Sequence, residues 1–213
     1  MSLFKKVLPA ESLAVLLMDY TLTGESHIDD DGKFALSPNG ISVSDGSEVL
    51  PDDVERTRWE HLSSRDSLVI ALETMCLRGF VVRILLKTFV KNKQVCKAVL
   101  KSYEDLWTRW SRDGVNYRDF YEKAVQVYGS QVFIRDLESS LGTEQSNPSG
   151  QVVSGLLGKI GAEFSSMCDP FDVIRDPLKS ELARRGEAIF TEASKFIKNL
   201  LESILEKYTV KAT

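Results

Sequence analysis

The chain has 213 residues, 43% of them hydrophobic and 27% charged, with a formal net charge of −4. That length allows one sizeable core or two smaller ones, and that composition excludes fibrous and wholly disordered classes. The negative balance argues against coating nucleic acid by overall charge, so a polyanion-binding surface has to come from a local concentration of cations.

Taken in chain order, MSLFKKVLPAESLAVLLMDY (residues 1–20) places basic residues ahead of an apolar stretch, as a secretory signal does. Pro9 and Glu11 interrupt that stretch, Asp19 closes it, and no small-residue cleavage site follows, so the segment reads as a short amphipathic helix. No uninterrupted apolar run approaches the roughly 20 residues of a membrane span, and a soluble protein is expected. Cys76, Cys96 and Cys168 lie far apart, with no pair at metal-ligand spacing. An odd count without a framework pattern points to reduced thiols in a cytoplasmic or other reducing intracellular compartment.

Residues 21–50 are rich in Gly, Ser, Asp and Thr. Within HIDDDGKFALSPNG (27–40), setting Gly32 at the sixth position of an EF-hand loop puts Asp29 and Asp31 at ligand positions three and five. His27 then stands first and Pro38 twelfth, where an acidic ligand and a bidentate glutamate are required. The segment therefore reads as a solvated turn followed by a small β-hairpin near residues 33–44, with Phe34–Leu36 and Ile41–Val43 flanking the Asn39-Gly40 turn. No metal ligands are assigned.

Helix dominates thereafter. Asp52 with Glu55 three residues on forms a capping pair for a helix from about residue 53 toward Gly79. LVIALETMCLRGFVVRILLKTFV (68–90) is the most apolar stretch and reads as two core helices joined near Gly79, with another helix carrying on through Trp110. Asp113-Gly114 stops it, and NYRDFYEKAVQVYG (116–129) begins the next, with Tyr117, Phe120, Tyr121, Ala124 and Val127/Tyr128 at helical spacing and Gly129 at its end. SSLGTEQSNPSG (139–150) is a linker or loop.

A helical hairpin follows. Gly155, Gly158 and Gly161 recur every three residues, which lets another backbone approach closely; the lysine after Gly158 lacks P-loop spacing. Asp176 as cap and Pro177 in the first turn start a last helix whose Leu178, Leu182, Ile189, Ala193, Phe196/Ile197, Leu200/Leu201, Ile204/Leu205 and Tyr208 form one apolar stripe. The expected fold is thus mainly α: a multi-helix bundle with one small β-hairpin near residues 33–44 and a long amphipathic C-terminal helix. Residues 1–138 form the bundle with its hairpin, 139–150 the linker, and 151–213 a C-terminal helical hairpin that packs on the first part or on another subunit.

Catalytic chemistry finds little support. The two histidines, His27 and His61, fall in polar segments, and Cys76 lies in an apolar helix where a buried thiol is inert. Neither a Glu-x-x-His pair nor a Gly-x-Ser-x-Gly elbow occurs. No catalytic residue and no cofactor is assigned, and an enzyme built on scattered carboxylates such as Asp119 and Glu122 ranks behind binding functions.

Charge placement is the informative signal. Between Glu73 and Glu104 there is no acidic residue, while Arg78, Arg83, Lys87, Lys91, Lys93, Lys97 and Lys101 all fall in that interval. At about 100° per residue, all except Arg78 lie within an arc of roughly 160°, opposite an apolar face that includes Val95, Val99, Tyr103 and Trp107. Such a row suits a string of phosphates on RNA, single-stranded DNA or anionic lipid, and Tyr103, Trp107 and Trp110 are candidates to stack bases.

SRDGVNYRDF (111–120) resembles the start of the BH1 segment of Bcl-2-type apoptosis regulators over Arg112 to Asn116. Arg118 and Asp119 replace the Gly-Arg pair of that segment, and no Asn-Gly-Gly-Trp follows, so no family is assigned. The expectation is a non-enzymatic binding or assembly protein, nucleoprotein- or coat-like. Arg83, Lys87, Lys91, Lys93, Lys97 and Lys101 serve as sequence-independent contacts to RNA or another polyanion. The alternative is a regulatory or adaptor bundle that self-associates or docks a protein partner through Phe196, Ile197, Leu200, Leu201, Ile204 and Leu205.

Overall fold

The computed structural model describes residues 5–24, 64–109, 116–130, 150–169 and 175–212. The hairpin expected near residues 33–44, the aspartate turn, the Asp52 cap, both histidines, Trp110 and the greater part of the linker lie outside the described residues. The described elements run β1 (Lys6–Pro9), α1 (Ala10–Thr23), α2 (Ser64–Phe89), α3 (Lys93–Arg109), α4 (Tyr117–Gly129), α5 (Gly150–Cys168), α6 (Asp176–Lys207) and β2 (Tyr208–Lys211). This is an all-helical bundle with one small sheet, and the long C-terminal helix is present as expected.

The bundle is organised around α2, which packs against each of the other five described helices. Every residue from Ile70 to Val82 on α2 is buried, polar ones included. A helix apolar on all sides belongs in the middle of a protein, where each of its faces meets a neighbour. It nevertheless carries Glu73, Arg78, Arg83 and Lys87, and no described helix is long and apolar enough to cross a membrane.

The joint expected at Gly79 is absent: α2 runs unbroken through it. Instead, the missing side chain makes room for neighbours, since a Cβ there would stand 2.8 Å from a ring carbon of Trp107 and 3.2 Å from both the Tyr103 hydroxyl and a Tyr121 ring carbon. Tertiary packing selects glycine here, so it does not act as a helix stop. The break falls later, at Val90–Asn92, and divides the single helix over which the basic arc was reckoned into α2 and α3.

Helix α1 follows Pro9, whose extended backbone suits the position before the first turn, and closes on Gly24 (φ 74°), which donates its N–H to the Tyr20 carbonyl. It is amphipathic with a narrow polar side: Leu13, Leu16, Leu17, Tyr20 and Thr21 are buried, leaving Glu11 exposed. Thr21 shares a 2.7 Å hydrogen bond with the Tyr103 hydroxyl of α3, and Tyr20 stacks on Phe196 of α6 with ring centroids 4.3 Å apart.

Helix α4 spans the predicted residues. Asn116 caps it by accepting from the Arg118 N–H at 3.2 Å, and Tyr117, Tyr121, Ala124 and Tyr128 form its buried stripe. Phe120, expected on that stripe, is 40% exposed. At the crossing of α5 and α6, glycines permit near contact of the two backbones: a Cβ on Gly161 would collide with the Ala183 carbonyl, and one on Gly186 would lie 2.6 Å from Cβ of Phe164. Only one glycine of the expected triplet does this, because Gly155 and Gly158 face open space.

Strands were expected in residues 21–50, whereas the described sheet joins the two ends of the fold. β1 and β2 pair in parallel, with Lys6 opposite Tyr208 and Leu8 opposite Val210. Leu8 and Val210 point into the core, and Lys5 Nζ donates 2.6 Å to the Leu205 carbonyl in the last turn of α6. A cation at that position complements the helix dipole. One cluster of buried residues extends from Leu8 through α1–α6 to Val210, so α5 and α6 share the core of the preceding helices.

Candidate polyanion-binding surface

The corner between α2 and α3 determines where the lysines point. The Val90 N–H donates to the Leu86 carbonyl at 3.0 Å, completing α2, and Asn92 Oδ1 accepts from the N–H groups of Gln94 (3.0 Å) and Val95 (3.2 Å), starting α3. Asn92 is thus an N-cap, a strong helix start in mid-sequence. Val90 and Val95 are buried and anchor the corner, and the Cys96 thiol donates to the Leu86 carbonyl at 3.6 Å.

With these groups turned inward, Lys87, Lys91, Lys93, Lys97 and Lys101 are all exposed. Lys93, Lys97 and Lys101 recur every fourth residue on α3, so successive cations rise by about 6 Å along one face. Among the described residues, none of the five lysines forms an ion pair. Lys87 acts across the corner on Cys96, partly offsetting the burial that pushes that thiol pKa up.

Arg83 does not join the row. It is half-buried and paired with Glu104 of α3, the acid that closes the uncharged-to-basic interval on its C-terminal side. Burial opposes its charge, but the Tyr121 hydroxyl and the Glu104 carboxylate outweigh burial and hold its pKa above the ordinary arginine value. Arg83 stands one turn before Lys87 on α2; the break at Val90–Asn92 folds α3 back, and Glu104 of α3 and Tyr121 of α4 engage its guanidinium. Arg78 is also withdrawn: it is 5% exposed and its guanidinium lies against Gly24, at the C-terminal end of α1.

Two of the three expected stacking aromatics are part of the core, while Trp110 lies outside the described residues. Tyr103 and Trp107 are 0% and 1% exposed. Trp107 stacks on Tyr121 with centroids 4.8 Å apart and planes 13° apart, while Tyr103 meets both rings edge-on. The apolar stripe of α6 is likewise turned inward. Ile197, Leu200, Leu201 and Ile204 are buried against the chain's own helices, and Phe196 and Leu205 pack partly buried on the same core.

Sequence reading passed over one group of polar residues. Glu73 of α2 is 4% exposed and accepts from the Tyr128 hydroxyl of α4 at 3.4 Å. Burial raises its carboxyl pKa from 4.5 to about 7, with Lys123 and the Tyr128 hydroxyl opposing the rise. Cys76 and Cys168 are buried thiols in the same neighbourhood, and burial pushes the pKa of each well up, so neither is a ready thiolate. The signal was present: a single glutamate inside LVIALETMCL belongs to a residue type rarely buried without a partner. Asp119 and Glu122, the scattered carboxylates of α4, stand exposed, with Glu122 accepting from Arg118 one turn away at 2.8 Å. Among the described residues, no group of three histidine, cysteine or acidic side chains could hold a metal ion.

Fold and site together define a helical bundle with a cationic corner. The chain matches no known family model, no curated protein and no solved structure.

Proposed function

We propose that this protein is a non-enzymatic binder of phosphate-rich polyanions, RNA or single-stranded nucleic acid above all, acting without sequence specificity as nucleoprotein- and coat-like proteins do. The contacts are Lys87, Lys91, Lys93, Lys97 and Lys101. The observation that carries this reading is that these five exposed cations cluster at one corner with no acidic partner among the described residues, in a chain whose net charge is −4. The arrangement also runs against local stability. The first turn of α3 holds Lys93 and no acid, although the helix N-terminus carries about half a positive charge and favours acids there. Departures from local rules concentrate at functional or strained sites, which supports the binding reading.

Fluorescence polarisation with a labelled single-stranded RNA tests this. If all five lysines neutralise phosphates, raising salt from roughly 50 to 200 mM weakens binding by about a hundredfold, and Lys87→Glu/Lys97→Glu removes binding while leaving helix content intact. Salt-insensitive binding, or full binding by the double variant, overturns the proposal. A second variant separates stability from function. Lys93→Glu relieves the helix terminus, so it is expected to raise Tm by about 1–3 °C while weakening RNA binding; a drop in Tm with binding retained contradicts the assignment of Lys93. The adaptor alternative loses support from the burial of Ile197, Leu201 and Ile204 within the chain.

A further inference from the structure

We infer that the lysine corner reads the phosphate chain alone, so that its ligand class is any flexible linear polyphosphate: nucleic acid with or without its bases, and inorganic polyphosphate equally. This rests on the polyanion reading above and states what that surface recognises.

Proteins distinguish bases by stacking them on aromatic or guanidinium planes and by hydrogen-bonding their edges. Among the described residues, the aromatic and guanidinium planes close to this corner are already engaged elsewhere. Trp107 stacks on Tyr121 and Tyr103 meets both rings edge-on in the core, each no more than 1% exposed. Arg83 has its guanidinium on Glu104, and Asn92 uses its amide oxygen to cap α3. What faces outward is five ammonium groups, compact hydrated point charges without a planar face, with the amides of Asn92 and Gln94 between them. Such groups respond to the density of negative charge along a chain.

The same surface is poorly made for a membrane. Interfacial helices bury an apolar face beside their cations, whereas Val90, Val95 and Val99, the apolar residues beneath these lysines, are buried in the protein. The charged row stands on a corner with no apolar wedge among the described residues.

The test compares four probes with the full-length protein: labelled oligo(dT) of about 20 nucleotides, an abasic oligodeoxynucleotide of the same length, inorganic polyphosphate as competitor, and vesicles containing phosphatidylserine. The expected result is a Kd for the abasic strand within about twofold of that for oligo(dT), full competition by inorganic polyphosphate, and parallel weakening of both strands in Lys97→Ala/Lys101→Ala. Loss of a single stacked base weakens binding about tenfold, so a tenfold or larger preference for oligo(dT) over the abasic strand overturns this inference and leaves the polyanion reading standing. Binding to vesicles alone overturns it in favour of a lipid surface. Binding to none of the probes overturns the polyanion reading and this inference together.

Discussion

Leu201→Ala is expected to lower the unfolding free energy by about 2–5 kcal/mol, the range for removing a leucine from a packed core, and Leu201→Asp to abolish folding. Leu201 is 0% exposed on the face of α6 that meets the other helices, flanked by the buried Ile197 and Ile204. Urea denaturation at two protein concentrations tenfold apart measures it. A loss of stability independent of concentration places the stripe in the core of each chain. Unchanged stability with lost self-association places it at a subunit interface and revives the adaptor reading. The two readings therefore diverge most on one methyl-rich side chain.

Glu73→Gln is expected to stabilise the protein progressively as pH rises. The folded carboxyl titrates near 7 and the unfolded one near 4.5, so between those values the folded chain holds a proton that the unfolded chain has lost. Stability contributed by the protonated form is fully present below pH 4.5, declines through the window and is gone above about pH 7. The separation corresponds to about 3 kcal/mol. The groups facing this carboxyl are the Tyr128 hydroxyl and Lys123 of α4, Cys76 one turn along α2, and Cys168 of α5. The shifts that burial imposes keep both thiols and the Tyr128 phenol uncharged in the folded chain between pH 5 and 7. Denaturation of wild type and variant at pH 5 and pH 8 should show their difference growing by up to about 3 kcal/mol in favour of glutamine. A difference that stays constant with pH shows that the carboxyl is solvated in the folded state.

Both effects arise from residues whose environment no local pattern describes. Sequence periodicity marked Leu201 as apolar-facing correctly, because a stripe at 3.6-residue spacing must be covered, but the same stripe fits a core and an interface equally. It was the pairing of α6 with α5 and α2 that assigned the cover. For the lysines, the absence of acids between Glu73 and Glu104 is visible in the sequence, and Lys87, Lys91, Lys93, Lys97 and Lys101 are exposed. Arg83, one turn before Lys87 on α2, is engaged because the break at Val90–Asn92 brings Glu104 back to it, and that break is marked only by an asparagine cap, a weaker signal than proline or glycine.

What the sequence by itself determined are the quantities set within a few residues: the helical character, the limits of α4 between Asn116 and Gly129, the start of α6 at Asp176-Pro177, and the segregation of charge before Glu104. Caps, periodicity and local charge act over one or two helical turns, so they can be read without knowing the neighbours. Only the tertiary structure decided which aromatic rings face one another, which arginine finds an acid, that Gly79 is a packing site, and that residues 6–9 lie beside 208–211. Each of these depends on a partner distant in sequence, and burial, unlike helical periodicity, is a property of pairs of surfaces.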